Sequence, residues 1–240
     1  MLFERFFKKK NPRPFTAATL AAGGSASRMG GVNKILAEVN GLPVIAYSLL
    51  ALQNSGHIDE IVIASSEESL LPITDICRDF GIDKVTKVIR GGGSRAESVY
   101  RALCECAPEA RFALVHDAAR PLVTPELIGA VCDKAYEFKC ATAAVPVKDT
   151  IKVVEGDLVV ETPERATLYA VQTPQATDLE LLKGALVDAA RQGVTVTDDC
   201  AAVERLHIRP AIVPGYYENI KITTPEDLDI AEVLLERLEE

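Results

Sequence analysis

The sequence predicts an α/β protein whose mostly parallel, twisted sheet is covered by helices on both faces. Three observations predict it. Short apolar runs alternate with helical patterns along the chain. The runs read as buried strands bounded by turn residues. No repeat, low-complexity tract or clear linker divides the 240 residues, so one domain is the economical organisation.

Five runs are read as strands: Thr16–Ala22, Ile61–Ala64, Val85–Ile89, Phe112–His116 and Ala141–Val147. Helical stretches run from about Pro43 to Leu52 and from about Arg95 to Cys106. A third helix opens at Thr124-Pro125-Glu126, where Thr can cap and Pro suits the first turn. Its Leu127, Val131, Ala135 and Phe138 fall on one stripe. Thr177 with Glu180 resembles a capping box for another helix. Thr224-Pro225-Glu226 opens the last, with Ile230, Leu234 and Leu238 four residues apart. One segment breaks the alternation. Ile151–Val154, Leu158–Val160 and Leu168–Gln172 look β-like, with Glu155-Gly156-Asp157 as a hairpin turn. Such a hairpin does not stabilise itself and must pack on its own domain or on a second subunit.

The composition narrows the function. The chain is 48% hydrophobic and 25% charged, which excludes disorder for its bulk. Subtracting 35 Asp and Glu from 26 Lys and Arg gives −9, which argues against nucleic acid as a partner. No apolar run approaches the roughly 20 residues of a membrane span. The six cysteines form no Cys-x-x-Cys pair and are scattered like thiols of a reducing cytoplasm. Residues 1–15 read as a flexible basic tail rather than a signal sequence.

Phosphate chemistry is read from the loops. After the first strand come Ala22, Gly23, Gly24, Ser25, Ala26, Ser27, Arg28, Met29, Gly30 and Gly31, then Asn33-Lys34. Small residues let main-chain N–H groups approach an anion, and Arg28 and Lys34 add two cations at the carboxyl end of a strand. A second loop, Gly91-Gly92-Gly93-Ser94-Arg95-Ala96, fits the dinucleotide pattern, with Asp117 about twenty residues on. A nicotinamide-dependent oxidoreductase therefore competes. Asp117 can hold Mg²⁺, directly or through water, or bond a sugar hydroxyl. Arg120 can grip a phosphate, or pair with Asp117 to shape the turn before Pro121. His116 is read as a packed strand-end residue, and no nucleophilic triad stands out.

Taken together, several motifs resemble one family. They are the Ala-Ala-Gly start with Arg28-Met29, Asn33-Lys34, Gly91-Gly92 with Arg95 and Ser98-Val99, and His116 to Pro121. Pro146-Val147 with Asp149-Thr150, Gln172 to Gln175, Thr197-Asp198 and Asn219 to Lys221 complete the set. The whole is similar to the 2-C-methyl-D-erythritol 4-phosphate cytidylyltransferases, from about residue 16 to the C-terminus. The resemblance implies a nucleotidyltransferase fold, Rossmann-like, with a protruding β-arm at about 146–169 that joins a homodimer. It implies cytidylyl transfer from CTP to methylerythritol phosphate in the cytoplasm, with Mg²⁺. Arg28 and Lys34 would be catalytic. Ala22, Gly23, Gly24, Ser25, Gly91, Gly92, Ser98, Asp117 and Ala118 would bind CTP, Asp117 also serving the metal. Arg120, Thr173, Thr197 and Lys221 would bind the polyol phosphate, and Thr150 and Arg165 would reach a site across the dimer. The chain departs from the family's pattern in one place: the first glycine stands one residue further from the loop arginine than the family has it. A cytidylyltransferase for another polyol phosphate, such as ribitol 5-phosphate, and a non-catalytic nucleotide-binding module are the other readings.

Overall fold

The computed structural model describes residues 13–23 and 33–239. Strand β1 (Thr16–Ala22) is followed by a small ribbon, β2 (Glu38–Val39) and β3 (Leu42–Pro43), and by helix α1 (Val44–Asn54). Then come β4 (Glu60–Ser65), α2 (Leu70–Asp79), β5 (Val85–Arg90), α3 (Arg95–Cys104), β6 (Phe112–Asp117), α4 (Pro125–Phe138) and β7 (Cys140–Pro146). The chain closes with β8 (Val153–Glu155), β9 (Leu158–Glu161), β10 (Tyr169–Asp178), α5 (Leu179–Arg191), α6 (Asp199–Glu204), β11 (Ala211–Pro214) and α7 (Glu226–Glu239).

Seven strands form one sheet in the order β11-β7-β10-β6-β1-β4-β5. Strand β1 pairs in parallel with β4 and β6, β4 with β5, and β7 with β11; only β10 runs antiparallel to its neighbours, β6 and β7. The fold is thus a mostly parallel sheet flanked by helices, and the crossovers leave β1 in opposite directions. The crevice at the carboxyl ends of β1 and β6 is the place where such a sheet holds a ligand.

Alternation along the strands splits the core in two. On β6, Leu114 joins the cluster with Leu49 of α1, Ile73 of α2, Ile128 of α4 and Leu235 of α7. Its neighbours Ala113 and Val115 face the other side, against Val99 and Leu103 of α3, Leu182 of α5 and Val203 of α6. Each such fully buried aliphatic side chain stabilises by roughly 1.5–3 kcal/mol. The strand interior is apolar on both faces because helices cover both.

The predicted strands all form, each within one or two residues of its reading. Helices α2 and α6, strand β11 and the small β2–β3 ribbon are not read from the sequence. Pro72 sits in the first turn of α2, where it costs no hydrogen bond, yet it reads as a breaker. Strand β11 is an edge strand ending in Pro214, a position where proline is tolerated. Four readings are corrected. The cap of α5 is Asp178, whose carboxylate accepts from the Leu181 N–H at 3.2 Å, while Thr177 stays buried on β10. On α4 the stripe stops at Ala135, because Phe138 is exposed and lies 4.4 Å below the Lys134 ammonium. On α7 the core contact runs through Ala231 and Leu235 with Leu234 packed beside them, so Leu234 of the predicted stripe holds, Ile230 is exposed, and the side chain of Leu238 lies outside the described residues. Arg13 to Phe15, assigned to the tail, are anchored: Arg13 forks Asp59 at 2.6 and 2.7 Å, and Phe15 C=O accepts from Arg111 and Phe112. The rest of the tail, residues 1–12, lies outside the described residues.

The β excursion is real. Strands β8 and β9 form a separate two-stranded sheet, turning at Gly156 (φ +58°) and Asp157. The third piece is the start of β10, which runs on into the main sheet.

Candidate active site at the carboxyl ends of the strands

A cavity of about 750 Å³ opens beside the end of β1. It is lined by Gly23, by Ser65 and Ser66 at the end of β4, and by Arg90 to Arg95 at the end of β5. The loop after β5 is held tightly. The Gly91 N–H donates to Ser65 C=O at 2.7 Å, Gly92 N–H to Ser98 Oγ at 3.0 Å, and Gly93 N–H to Glu97 Oε2 at 2.8 Å. Ser94 caps α3 by accepting from the Glu97 N–H at 3.1 Å. Arg101 reaches back to Gly91 C=O at 2.9 Å and to Glu97 at 2.6 Å.

This geometry removes the dinucleotide reading. A dinucleotide fingerprint turns its loop N–H groups toward a pyrophosphate. Here the three glycine N–H groups are spent inside the protein, on Ser65, Ser98 and Glu97. The glycines are needed for closeness. A Cβ on Gly91 would stand 2.7 Å from Ser98 Oγ, and one on Gly92 would stand 2.3 Å from the Glu97 side chain.

Asp117 ends β6 with its side chain 9% exposed. Its Oδ1 accepts from Arg95 Nε at 3.0 Å and its Oδ2 from Lys221 Nζ at 2.6 Å. Arg95 Nη2 also donates to Asp199 Oδ2 at 2.8 Å. Burial alone would raise the Asp117 pKa, but the two cations outweigh it and hold the carboxyl well below the usual carboxylate range. Burial likewise works against the charge of Arg95, and the two carboxylates overcome it and raise its pKa. Asp199 is enclosed more completely, and desolvation pushes its carboxyl up. The turn-shaping partner read for Asp117 was Arg120; the structure supplies Arg95 and Lys221 instead.

A second chain of hydrogen bonds lies behind it. Thr173 Oγ1 accepts from the Asp117 N–H at 3.1 Å and lies 3.0 Å from His116 Nδ1. His116 Nε2 is 3.3 Å from Arg120 C=O. With Nε2 protonated every group in this chain is satisfied: Thr173 donates to Nδ1 and His116 donates to the carbonyl. Burial lowers the His116 pKa to about 4, so the ring is neutral, a packed strand-end residue as its position implied. Thr173 is 4% exposed, and its hydroxyl both accepts and donates inside the protein, which clamps β10 to β6.

The remaining expected residues fall as follows. Arg120 Nη1 donates to Asn219 C=O at 2.6 Å, and its Nε is buried without a partner among the described residues. Asn219 is tied to Thr173 C=O and Gln172, which sets the start of the segment bearing Lys221. Lys34 is half-buried in a turn held by Asn33, whose side chain accepts from the Ile35 N–H and donates to Ser69 Oγ at 2.8 Å. Ala22 is buried with its carbonyl bound by Ser65 Oγ, and Ala118 is buried with its N–H on Ala21 C=O. Thr197 is exposed before α6. Thr150 and Arg165 are exposed on the arm, Arg165 donating to Lys148 C=O at 3.0 Å. Gly24, Ser25 and Arg28 lie outside the described residues. Arg95 and Asp199 carried no role in the sequence reading. Ser94-x-x-Glu97 and the acidic pair Asp198-Asp199 were the signals present for them.

Comparison with known proteins agrees with this arrangement. The family model of 2-C-methyl-D-erythritol 4-phosphate cytidylyltransferase matches residues 16–237. The enzyme of that name from Caldanaerobacter subterraneus subsp. tengcongensis is 39% identical over 228 residues, covering 92% of this chain and 99% of that one. The one from Bacillus cytotoxicus is 42% identical over 217 residues, covering 90% and 96%. Among solved structures, the 4-diphosphocytidyl-2C-methyl-D-erythritol synthase of Anaerococcus prevotii superposes with a TM-score of 0.84 at 30% identity, covering 93% of this chain and 96% of that one. The Thermus thermophilus cytidylyltransferase gives 0.75 at 29%, covering 91% and 98%. A match of this length, on a sheet whose strand ends carry the family's motifs, has one reading: the chain belongs to the 2-C-methyl-D-erythritol 4-phosphate cytidylyltransferase family.

Proposed function

We infer that the protein transfers the cytidylyl group of CTP to 2-C-methyl-D-erythritol 4-phosphate, releasing pyrophosphate, in isoprenoid precursor synthesis. The observation that carries this is the family match across residues 16–237. The attacking phosphate oxygen is already anionic near neutral pH. It forms a bond to the α-phosphorus of CTP while the bond to the leaving pyrophosphate breaks, and no protein nucleophile or general base is required. Such transfers rest on positioning and charge neutralisation.

Lys34, fixed by Asn33, and Arg28 stabilise the charge that develops on the α-phosphate and the leaving group. The cavity beside Gly91, Gly92 and Ser98 takes the cytosine, whose amino group suits a loop that has turned its N–H groups inward. Ala22, Gly23, Gly24, Ser25 and Ala118 border the nucleotide. Arg120 and the half-exposed Lys221 bind the phosphate of the polyol, with Thr197 at the rim. Asp117 fits Mg²⁺ through an intervening water, since each of its oxygens already accepts from a cation. Among the described residues no three His, Cys, Asp or Glu side chains cluster as a ready-made metal cage, so the triphosphate would be the metal's main ligand. When bound, the metal supplies neutralising charge on phosphate oxygens.

The arm is the dimer contact in this reading. Val153, Val154, Leu158, Val159, Val160 and Tyr169 are all exposed on it, and Thr150 and Arg165 stand beside them to reach the neighbouring subunit's site. A cytoplasmic setting is supported by six free thiols and by the absence, among the described residues, of any helix long and apolar enough to cross a membrane. The decisive assay is pyrophosphate release from CTP with methylerythritol phosphate, with ribitol 5-phosphate in parallel, each with and without magnesium. Turnover with the first and not the second is expected. No turnover with methylerythritol phosphate would overturn the reading.

A further inference from the structure

Arg95, Asp117, Asp199 and Lys221 are joined by ion pairs into a set of two cations and two carboxylates, flanked by the opposite charges of Arg120 and Asp198, and its members are not held alike. Asp199 is 1% exposed, and its main-chain N–H is pinned to Gln175 Oε1 at 3.1 Å. Its Oδ1 has no partner among the described residues. Arg95 stands in the first turn of α3, which Ser94 caps. Arg95 therefore bridges two anions that cannot move away. Lys221 is different: its side chain is 36% exposed, and its bond to Asp117 Oδ2 is at the open side of the set.

We propose that Arg95, anchored on Asp199, is a positioning residue that keeps Asp117 short of full neutralisation, so that Asp117 aims Lys221 and can release it to the polyol phosphate. The proposal rests on the reading above that Lys221 meets this phosphate. One guanidinium shared between two buried carboxylates leaves one negative charge, and Lys221 balances it. An arriving phosphate competes with Asp117 for the ammonium. Without the Asp199 charge, Arg95 would neutralise Asp117 alone, and nothing would hold Lys221 in place. Only the planar fork of an arginine spans both carboxylates; a lysine ammonium serves one.

The test compares Asp199→Asn and Arg95→Lys with the wild type, measuring KM for methylerythritol phosphate and for CTP separately, each variant also in a Lys221→Ala background. Asn keeps the volume of Asp199, which lies outside the lining of the nucleotide cavity. Asp199→Asn should raise the KM for the polyol phosphate about tenfold and leave the KM for CTP within about twofold. In the Lys221→Ala background the same substitution should have no further effect, because it acts through that residue. Arg95→Lys, at a residue that also lines the nucleotide cavity, is read only on the KM for the polyol phosphate and on the loss of that effect in the Lys221→Ala background, and decides the matter if Asp199→Asn does not fold; the comparison of the two KM values applies to Asp199→Asn alone. An unchanged KM for the polyol phosphate overturns the proposal. So does an equal rise in both KM values, a loss of thermal stability and active fraction with both KM values fixed, or an undiminished effect without Lys221. Failure of the wild type to release pyrophosphate would instead sink the assigned reaction.

Discussion

Strand β10 passes through two environments. From Gln172 to Thr177 it is buried between β6 and β7, its side chains clamping the site. From Tyr169 to Val171 the same strand is exposed and leads into the arm. The body of the molecule closes its own apolar surface with helices on both faces. The arm does not: Leu158 is 74% exposed and Val159 58%. The two β-structures thus differ in burial: the body is covered from within its own chain, while the arm leaves apolar side chains exposed, the surface proposed above as the dimer contact.

The comparison can be broken most severely at the site in the body. Lys34→Ala should lower turnover by about 100- to 1,000-fold, the usual loss for one buried transition-state contact, with the melting temperature unchanged. Steady-state pyrophosphate release and a thermal melt on the same sample check this, and unchanged kcat would exclude Lys34 from the chemistry. Next in size, Leu114→Ala in the centre of β6 should destabilise by about 3 kcal/mol in urea unfolding, because the cavity it leaves cannot collapse between two helical layers. Leu158→Ala on the arm should change monomer unfolding by less than about 0.5 kcal/mol. Equal effects at the two leucines would mean that the arm is packed on its own body.

The buried His116 sharpens the contrast through pH. Its folded-state pKa of about 4 lies below the ordinary 6.5, so the unfolded chain takes up the proton first. Its contribution is fully present above pH 6.5 and is lost as the pH falls toward 4. At pH 5 that loss should be about 2 kcal/mol relative to pH 7.5. Urea midpoints for wild type and His116→Gln at both pH values measure it, and an identical pH dependence in the variant would refute it. Asp117 titrates in a separate window, since its depressed pKa removes stability only below the ordinary carboxylate value of 3.8. At the proposed dimer contact on the arm, Val154→Asp with Leu158→Asp should leave a monomer in sedimentation, with the urea midpoint of the body unmoved and activity down about tenfold. A variant that stays dimeric would place the interface elsewhere.

The contrast also separates what was legible along the chain. Buried strands announce themselves, because a strand covered on both faces must be apolar throughout; β1, β4 and β6 were readable to within a residue or two. The hairpin at Gly156 was readable from its turn chemistry. Helix faces were less so. Ile230 and Phe138 fit the spacing of a core stripe and are exposed, since a helix's rotation on the sheet depends on what lies beneath it. Of the site, Asp117, Lys221 and the two glycine-rich loops were visible as motifs. Asp199 was not, because its meaning depends on an arginine 104 residues away.

By itself, then, the order of residues determined the strand and helix alternation, the phosphate-directed loops and the family, all of which rest on local pattern and spacing. The tertiary structure alone decided that Gly91 to Gly93 turn their N–H groups inward, that Thr173 is a clamp, and that Arg95 rather than Arg120 meets Asp117. Those outcomes depend on which distant groups the sheet brings within 3 Å and on the cost of leaving a buried charge or donor without a partner, neither of which is a property of any one segment.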